Sequence, residues 1–128
     1  MPALHLSRTD KTPEVTFDPV AGLFDMRGCS IPEDADKFYA PLFDLLDRYC
    51  KEPAPQTTVR LALAYFNSSS SKYILDLLRL IDDLHTSGKG VVSLEWYFEP
   101  DDLDMQEAGQ DYRSLLEMPV RLIARATP

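Results

Sequence analysis

Apolar and polar residues alternate from Thr58 to Phe66, with Val59, Leu61, Leu63 and Tyr65 on one face and Arg60, Ala62, Ala64 and Phe66 on the other. That period of two is the mark of a half-buried strand, and the small alanines suit the close approach of a helix. The period then changes. Ile74, Leu77, Leu78, Ile81 and His85 recur at helical spacing, opposite a polar stripe of Lys72, Asp76, Arg79, Asp83 and Thr86. The stretch from Tyr65 to Lys72 therefore carries a strand into a helix N-terminus through Asn67 and four serines.

The same rules place the other elements. Val15 to Phe17 and Leu23 to Met26 form a hairpin around Asp18-Pro19-Val20-Ala21-Gly22, and Gly28 to Pro32 breaks the pattern. Phe38, Tyr39, Leu42, Phe43, Leu46, Tyr49 and Cys50 keep helical spacing; Pro41 either kinks that helix or stands in the first turn of its main part. Gly88 to Gly90 stops the serine-led helix, and Val92, Leu94, Trp96 and Phe98 line the next strand. Met105, Ala108, Tyr112, Leu115 and Leu116 predict a last helix from about residue 104, and Pro119 ends it before a strand at Val120 to Ala124. Residues 1–12 show no periodicity and are expected to be a flexible tail. Hairpin, helix, strand, helix, strand, helix, strand describes one α/β layer fold with a mostly parallel sheet and an antiparallel edge.

With 128 residues and 45% hydrophobic content, the chain has the size of a single domain. No apolar run approaches the roughly 20 residues a membrane helix needs, and Met1 to Lys11 lacks the order of a signal peptide, so a cytoplasmic location is expected. Cys29 and Cys50 form no CxxC pair, and His5 and His85 have no zinc-type spacing. A net charge of −8 opposes binding to nucleic acid or to an anionic membrane, which leaves protein surfaces or cations as partners.

Chemistry then narrows to two places. The serines can serve as a cap for orphan N–H groups in the first helical turn. Alternatively, a hydroxyl there can accept a phosphate of about −1.5 to −2 charges, which the positive end of the helix tolerates. Both uses stay open on the residues alone. The acidic run Glu99, Asp101, Asp102, Asp104, Glu107 and Asp111 is a solvated or capping face or a docking site for a basic surface, and Glu99, Asp101, Asp102 and Asp104 within it are the alternative ligand set of a small metal-dependent enzyme, although the run misses the calcium-loop pattern. Trp96 and Tyr97 beside it are core residues or, where exposed, an interface anchor. No nucleotide, hydrolase or metalloprotease motif occurs, and His85 falls about 20 Å along the helix from the serines, too far for a triad.

Several blocks occur together and in order: Phe17-Asp18-Pro19 with Gly22, Gly28 to Pro32, Phe38-Tyr39 with Pro41-Leu42, Tyr65 to Lys72, Trp96-Tyr97, and Asp104-Met105 with Glu107-Ala108-Gly109. With them the chain resembles the SiaC-type regulatory phosphoproteins, from about Val15 to the last strand. The resemblance implies a STAS-like fold, similar to anti-sigma-factor antagonists, with no catalytic activity and no cofactor. It also implies a cytoplasmic bacterial switch whose unphosphorylated form binds and activates a GGDEF diguanylate cyclase, raising cyclic di-GMP and favouring biofilm. A serine/threonine kinase would modify it and a PP2C-like phosphatase restore it. By the family pattern the modified residue is Ser68, where the family usually carries threonine. Joined to the reading of the serine turn, this makes the loop of Asn67, Ser69, Ser70, Ser71 and Lys72 the expected partner-binding surface. An antagonist that captures an anti-sigma factor is the alternative the fold relatives suggest.

Overall fold

Strand order across the sheet follows chain order. The computed structural model describes residues 1–125, with β1 (Leu4–Leu6), β2 (Glu14–Asp18), β3 (Leu23–Ser30), α1 (Ala35–Tyr49), β4 (Gln56–Phe66), α2 (Ser68–Thr86), β5 (Val91–Phe98), α3 (Leu103–Leu115) and β6 (Val120–Ala124). The six strands form one sheet in the order β1-β2-β3-β4-β5-β6, antiparallel from β1 to β3 and parallel from β3 to β6. Each parallel step is bridged by one helix, and right-handed crossovers that always advance in the same direction put all three helices on one face. Val15, Phe17, Phe24, Met26, Val59, Leu61, Leu63, Val92, Leu94 and Trp96 point to that face and join the buried helix residues in a single core.

Four expectations need correction. Residues 1–12 are not a tail without structure: Leu4–Leu6 pair with Val15–Phe17 as the edge strand, and three residues are too few to display a period. The second strand of the hairpin does not stop at Met26 but runs to Ser30, passing through Gly28 at φ 113°, a conformation that other residues rarely adopt. Helix α1 is continuous from Ala35, so Pro41 stands at its seventh residue, outside the first turn, where it has no N–H to offer the Lys37 carbonyl. Finally, the alternation of β4 slips. Gly28 is opposite Leu63 but Cys29 is opposite Tyr65, so Ala64 is the extra residue of a bulge and the faces exchange beyond it. Tyr65 is turned out, 58% exposed, while Phe66 packs edge-on against Trp96 with centroids 6.2 Å apart. Ala62 and Ala64 lie on the side of the sheet away from the helices.

Helix α3 rests on Trp96, whose Nε1 donates to the Met105 carbonyl at 3.0 Å. The far end of α2 is tied down by Asp82, a largely buried carboxylate that accepts from the backbone N–H groups of Glu117 and Met118. These contacts fix how α2 lies across the sheet, and thereby where its N-terminus opens.

Candidate functional site

The carboxyl ends of β3, β4 and β5 lead into the N-termini of α1, α2 and α3, so the three helix starts share one edge of the sheet. Two of them are acidic. Asp34 caps α1 with Asp36 in its first turn, and Asp102 caps α3 with Asp104 in its first turn. Helix α2 differs: Asn67 caps it by accepting from Ser70 N at 2.9 Å, and its first turn holds no carboxylate. The positive end of the longest helix is thus left without a negative charge of its own.

The four serines there are not equivalent. Ser70 is fully buried; its Oγ donates to the Ser30 carbonyl at 3.0 Å and accepts from Ser30 Oγ at 2.9 Å, and Ser30 Oγ also bonds the Tyr39 hydroxyl. Ser71 Oγ donates to the Ser68 carbonyl at 2.7 Å, and the Ser71 carbonyl accepts from the Tyr112 hydroxyl at 2.9 Å. Ser69 is exposed, with Oγ donating to Asn67 Oδ1 at 3.1 Å. Ser68, the first residue of α2, is exposed, and its hydroxyl makes no hydrogen bond among the described residues. Burial pushes the Tyr39 and Tyr112 phenols upward, so both are neutral donors at physiological pH.

This division predicts a measurable difference in stability. Ser70→Ala is expected to lose about 1 kcal/mol through its buried hydrogen bonds, whereas Ser68→Ala and Ser69→Ala should stay within about 0.5 kcal/mol of the parent. Urea denaturation of the three variants checks it; equal losses would contradict the division of the serines.

Lys72 is exposed, one turn beyond Ser68 on the same side of α2, and is in no ion pair among the described residues. Two apolar side chains stand out at the same edge: Tyr65 at the end of β4 and Leu103, 70% exposed, at the start of α3. The sequence pattern missed Tyr65 because its parity with Leu63 placed it in the core, and Leu103 because it precedes the periodic part of α3. Beside the first turns, α1 and α2 enclose a groove of about 250 Å³ where Tyr39 stacks on Tyr73 and Asp36, Asp44 and Asp76 make the polar lining.

The features weighed for catalysis are dispersed. No group of three or more His, Cys, Asp or Glu side chains is placed to hold a metal ion among the described residues. Asp102 spends Oδ1 on the Met105 N–H at 3.0 Å, a capping role. Trp96 is buried, and Tyr97 lies half-buried on the helix-free face. The Cys50 thiol is pushed up to about 11 by burial, with Asp47 and Asp83 adding to the effect, so it stays protonated at neutral pH. No described helix is long and apolar enough to cross a membrane.

A one-sided, mostly parallel sheet with an exposed helix start free of carboxylates at its carboxyl edge defines a small α/β domain. The chain belongs to the SiaC family of regulatory phosphoproteins, whose family model matches residues 6–125. It superposes on SiaC of Pseudomonas aeruginosa with a TM-score of 0.90 at 29% identity, covering 98% of this chain and 100% of that one. Apo-SiaC from the same organism gives a TM-score of 0.88 at 30% identity, over 97% and 100% of the two chains. A crystal structure of the diguanylate cyclase SiaD in complex with its activator SiaC, also from P. aeruginosa, matches with a TM-score of 0.90 at 29% identity, over 95% and 99%. An uncharacterized protein of P. aeruginosa strain UCBPP-PA14 is 29% identical over 124 residues, 97% of this chain and 98% of its own length.

Proposed function

We propose that this chain is a non-catalytic cytoplasmic switch that binds and activates a diguanylate cyclase while Ser68 is unphosphorylated. The partner reading follows from the likeness to SiaC, the activator in the SiaD complex. The observation that carries the switch is the state of Ser68: exposed and without a hydrogen bond among the described residues, at a helix start with no carboxylate in its first turn. A phosphate on that hydroxyl meets N–H groups and the helix dipole, so the fold persists while the surface changes sign. Asn67 holds the turn, Tyr65 and Leu103 offer apolar anchors on either side, and Lys72 is in reach of either phosphate or partner. Docking over this edge would bury Ser68; a phosphate there costs several kcal/mol to desolvate, and the complex dissociates. A serine/threonine kinase writes the mark and a PP2C-like phosphatase removes it.

The test pairs cyclase assays with binding measurements, using the parent, Ser68→Ala and the enzymatically phosphorylated chain against its diguanylate cyclase. Parent and Ser68→Ala are expected to bind and stimulate. The phosphorylated chain should bind at least about 100-fold more weakly, equivalent to roughly 2.7 kcal/mol. Equal stimulation by the phosphorylated chain, or capture of an anti-sigma factor in place of a cyclase, would overturn the proposal.

A further inference from the structure

Charge is left unbalanced along the groove between α1 and α2. Asp36, Asp44 and Asp47 stand on α1, Asp76 and Asp83 on α2, and none of the five is in an ion pair among the described residues. Helical spacing puts Asp36, Phe43 and Asp47 on one side of α1, and Tyr73, Asp76, Leu80 and Asp83 on one side of α2. Those two sides meet at the groove, where Ala40, Phe43, Tyr73 and Leu77 lie between Asp36 and Asp44 on one wall and Asp76 on the other. Phe43 is 39% exposed, an aromatic ring left open to water in the middle of the acidic row.

The field there is negative from end to end. Burial pushes the Tyr73 phenol upward, and the carboxylates of Asp36, Asp34 and Asp76 push it further with no positive group offsetting them. Asp47 and Asp83 extend the same sign to the C-terminal end of α1, where both bear on the Cys50 thiol and Lys89 opposes them.

Shape and spacing select the occupant. From Asp36 to Asp47 the row runs about 16 Å along α1, three turns of a helix laid beside it and far more than one ammonium group spans. The carboxylates are too dispersed to hold a metal ion. A flexible polyamine would meet the aspartates but leave Phe43 and Ala40 uncovered. A second copy of this chain carries the same net charge of −8, and none of its helices has more than two Lys or Arg residues. An apolar floor between two acidic rims instead matches a helix with an apolar stripe and basic flanks, whose long side chains cover the rims while their charges reach the carboxylates.

We propose that the α1–α2 groove docks a basic amphipathic helix of a partner protein, its apolar stripe on Ala40, Phe43 and Tyr73 and its lysines or arginines over the flanking aspartates. The groove opens beside the serine turn, because the Tyr39 hydroxyl at its floor bonds Ser30, which bonds Ser70. It is a surface additional to the Ser68 edge and does not rest on the partner being a cyclase.

The experiment titrates the full chain with a fluorescent helical peptide of about 14 residues, leucines on one stripe and lysines elsewhere, and maps the site by amide chemical shifts. The peptide is expected to shift Ala40, Phe43 and Leu77, and its counterpart with glutamate for lysine should not bind. Asp44→Asn/Asp76→Asn should weaken the peptide at least about tenfold, whereas Glu107→Gln/Asp111→Asn, which removes the same charge from α3, should weaken it less than about twofold. Phe43→Ala should weaken it about fivefold with little change in melting temperature, since that ring is already exposed. Absence of binding, equal losses in the two charge variants, full binding by Phe43→Ala, or displacement of the peptide by equimolar spermine would overturn the proposal.

Discussion

Asp82→Ala is expected to unfold at a urea concentration about 1.5 M below the parent, a loss of roughly 3 kcal/mol for a domain of this size. Asp82 is only 9% exposed, and its two oxygens accept from Glu117 N at 3.0 and 3.2 Å and from Met118 N at 2.8 Å. Truncation leaves both N–H groups without their acceptor, one of them in Met118, which is 2% exposed. The loss is large because one buried side chain serves two backbone donors at once. Asp82→Asn keeps one carbonyl oxygen and should lose about half as much. A midpoint shift below roughly 0.3 M for the alanine variant would show that the segment before β6 is held by other means.

Gly109→Val should be at least as damaging, by overpacking. A Cβ on Gly109 would sit 2.5 Å from Trp96 Cδ1, 2.7 Å from its Nε1 and 2.8 Å from Leu122 Cδ2. The two Trp96 atoms cannot move cheaply, because the indole is 1% exposed and its N–H is already bonded to Met105 O one turn earlier. Even alanine, which gains about 1 kcal/mol in helix propensity over glycine, must displace the largest fully buried side chain. A net loss of about 2 kcal/mol is expected for alanine and more for valine. Trp96 is the only tryptophan, so a red-shifted emission in the folded variant, together with a lowered melting temperature, reports the displacement directly. Unchanged emission and melting would refute it.

The parts of this fold legible from sequence are those where one rule acts alone. Thr58 to Leu63 alternates because one face of β4 meets helices and the other does not, and Ile74 to Ile81 repeats because α2 buries one stripe. The failures occur where two segments decide together. Whether Tyr65 or Phe66 faces the core depends on the bulge that β4 makes against Cys29, which β4 does not encode by itself. Asp82 stands between Ile81 and Asp83 with nothing local to mark it, since its burial comes from a segment 35 residues away. Gly109 was visible as part of a motif, but its packing reason lies in Trp96. At the serine turn the chemistry was legible as a set of hydroxyls, and only the fold separates buried Ser70 from exposed Ser68.

The chain-ordered sheet has a consequence for how the molecule comes into being. Each strand lies beside the strand made just before it, so no later segment has to be threaded between two earlier ones. During synthesis, β1 to β3 can close first as a local antiparallel unit, and each helix–strand pair then docks on the free edge left by its predecessor. The Ser68 turn is completed early in that sequence, by β3, α1 and β4, but Tyr112 reaches Ser71 only when α3 is laid down. A nascent chain arrested before α3 would therefore already present the serines, but without the last brace of the turn that carries them.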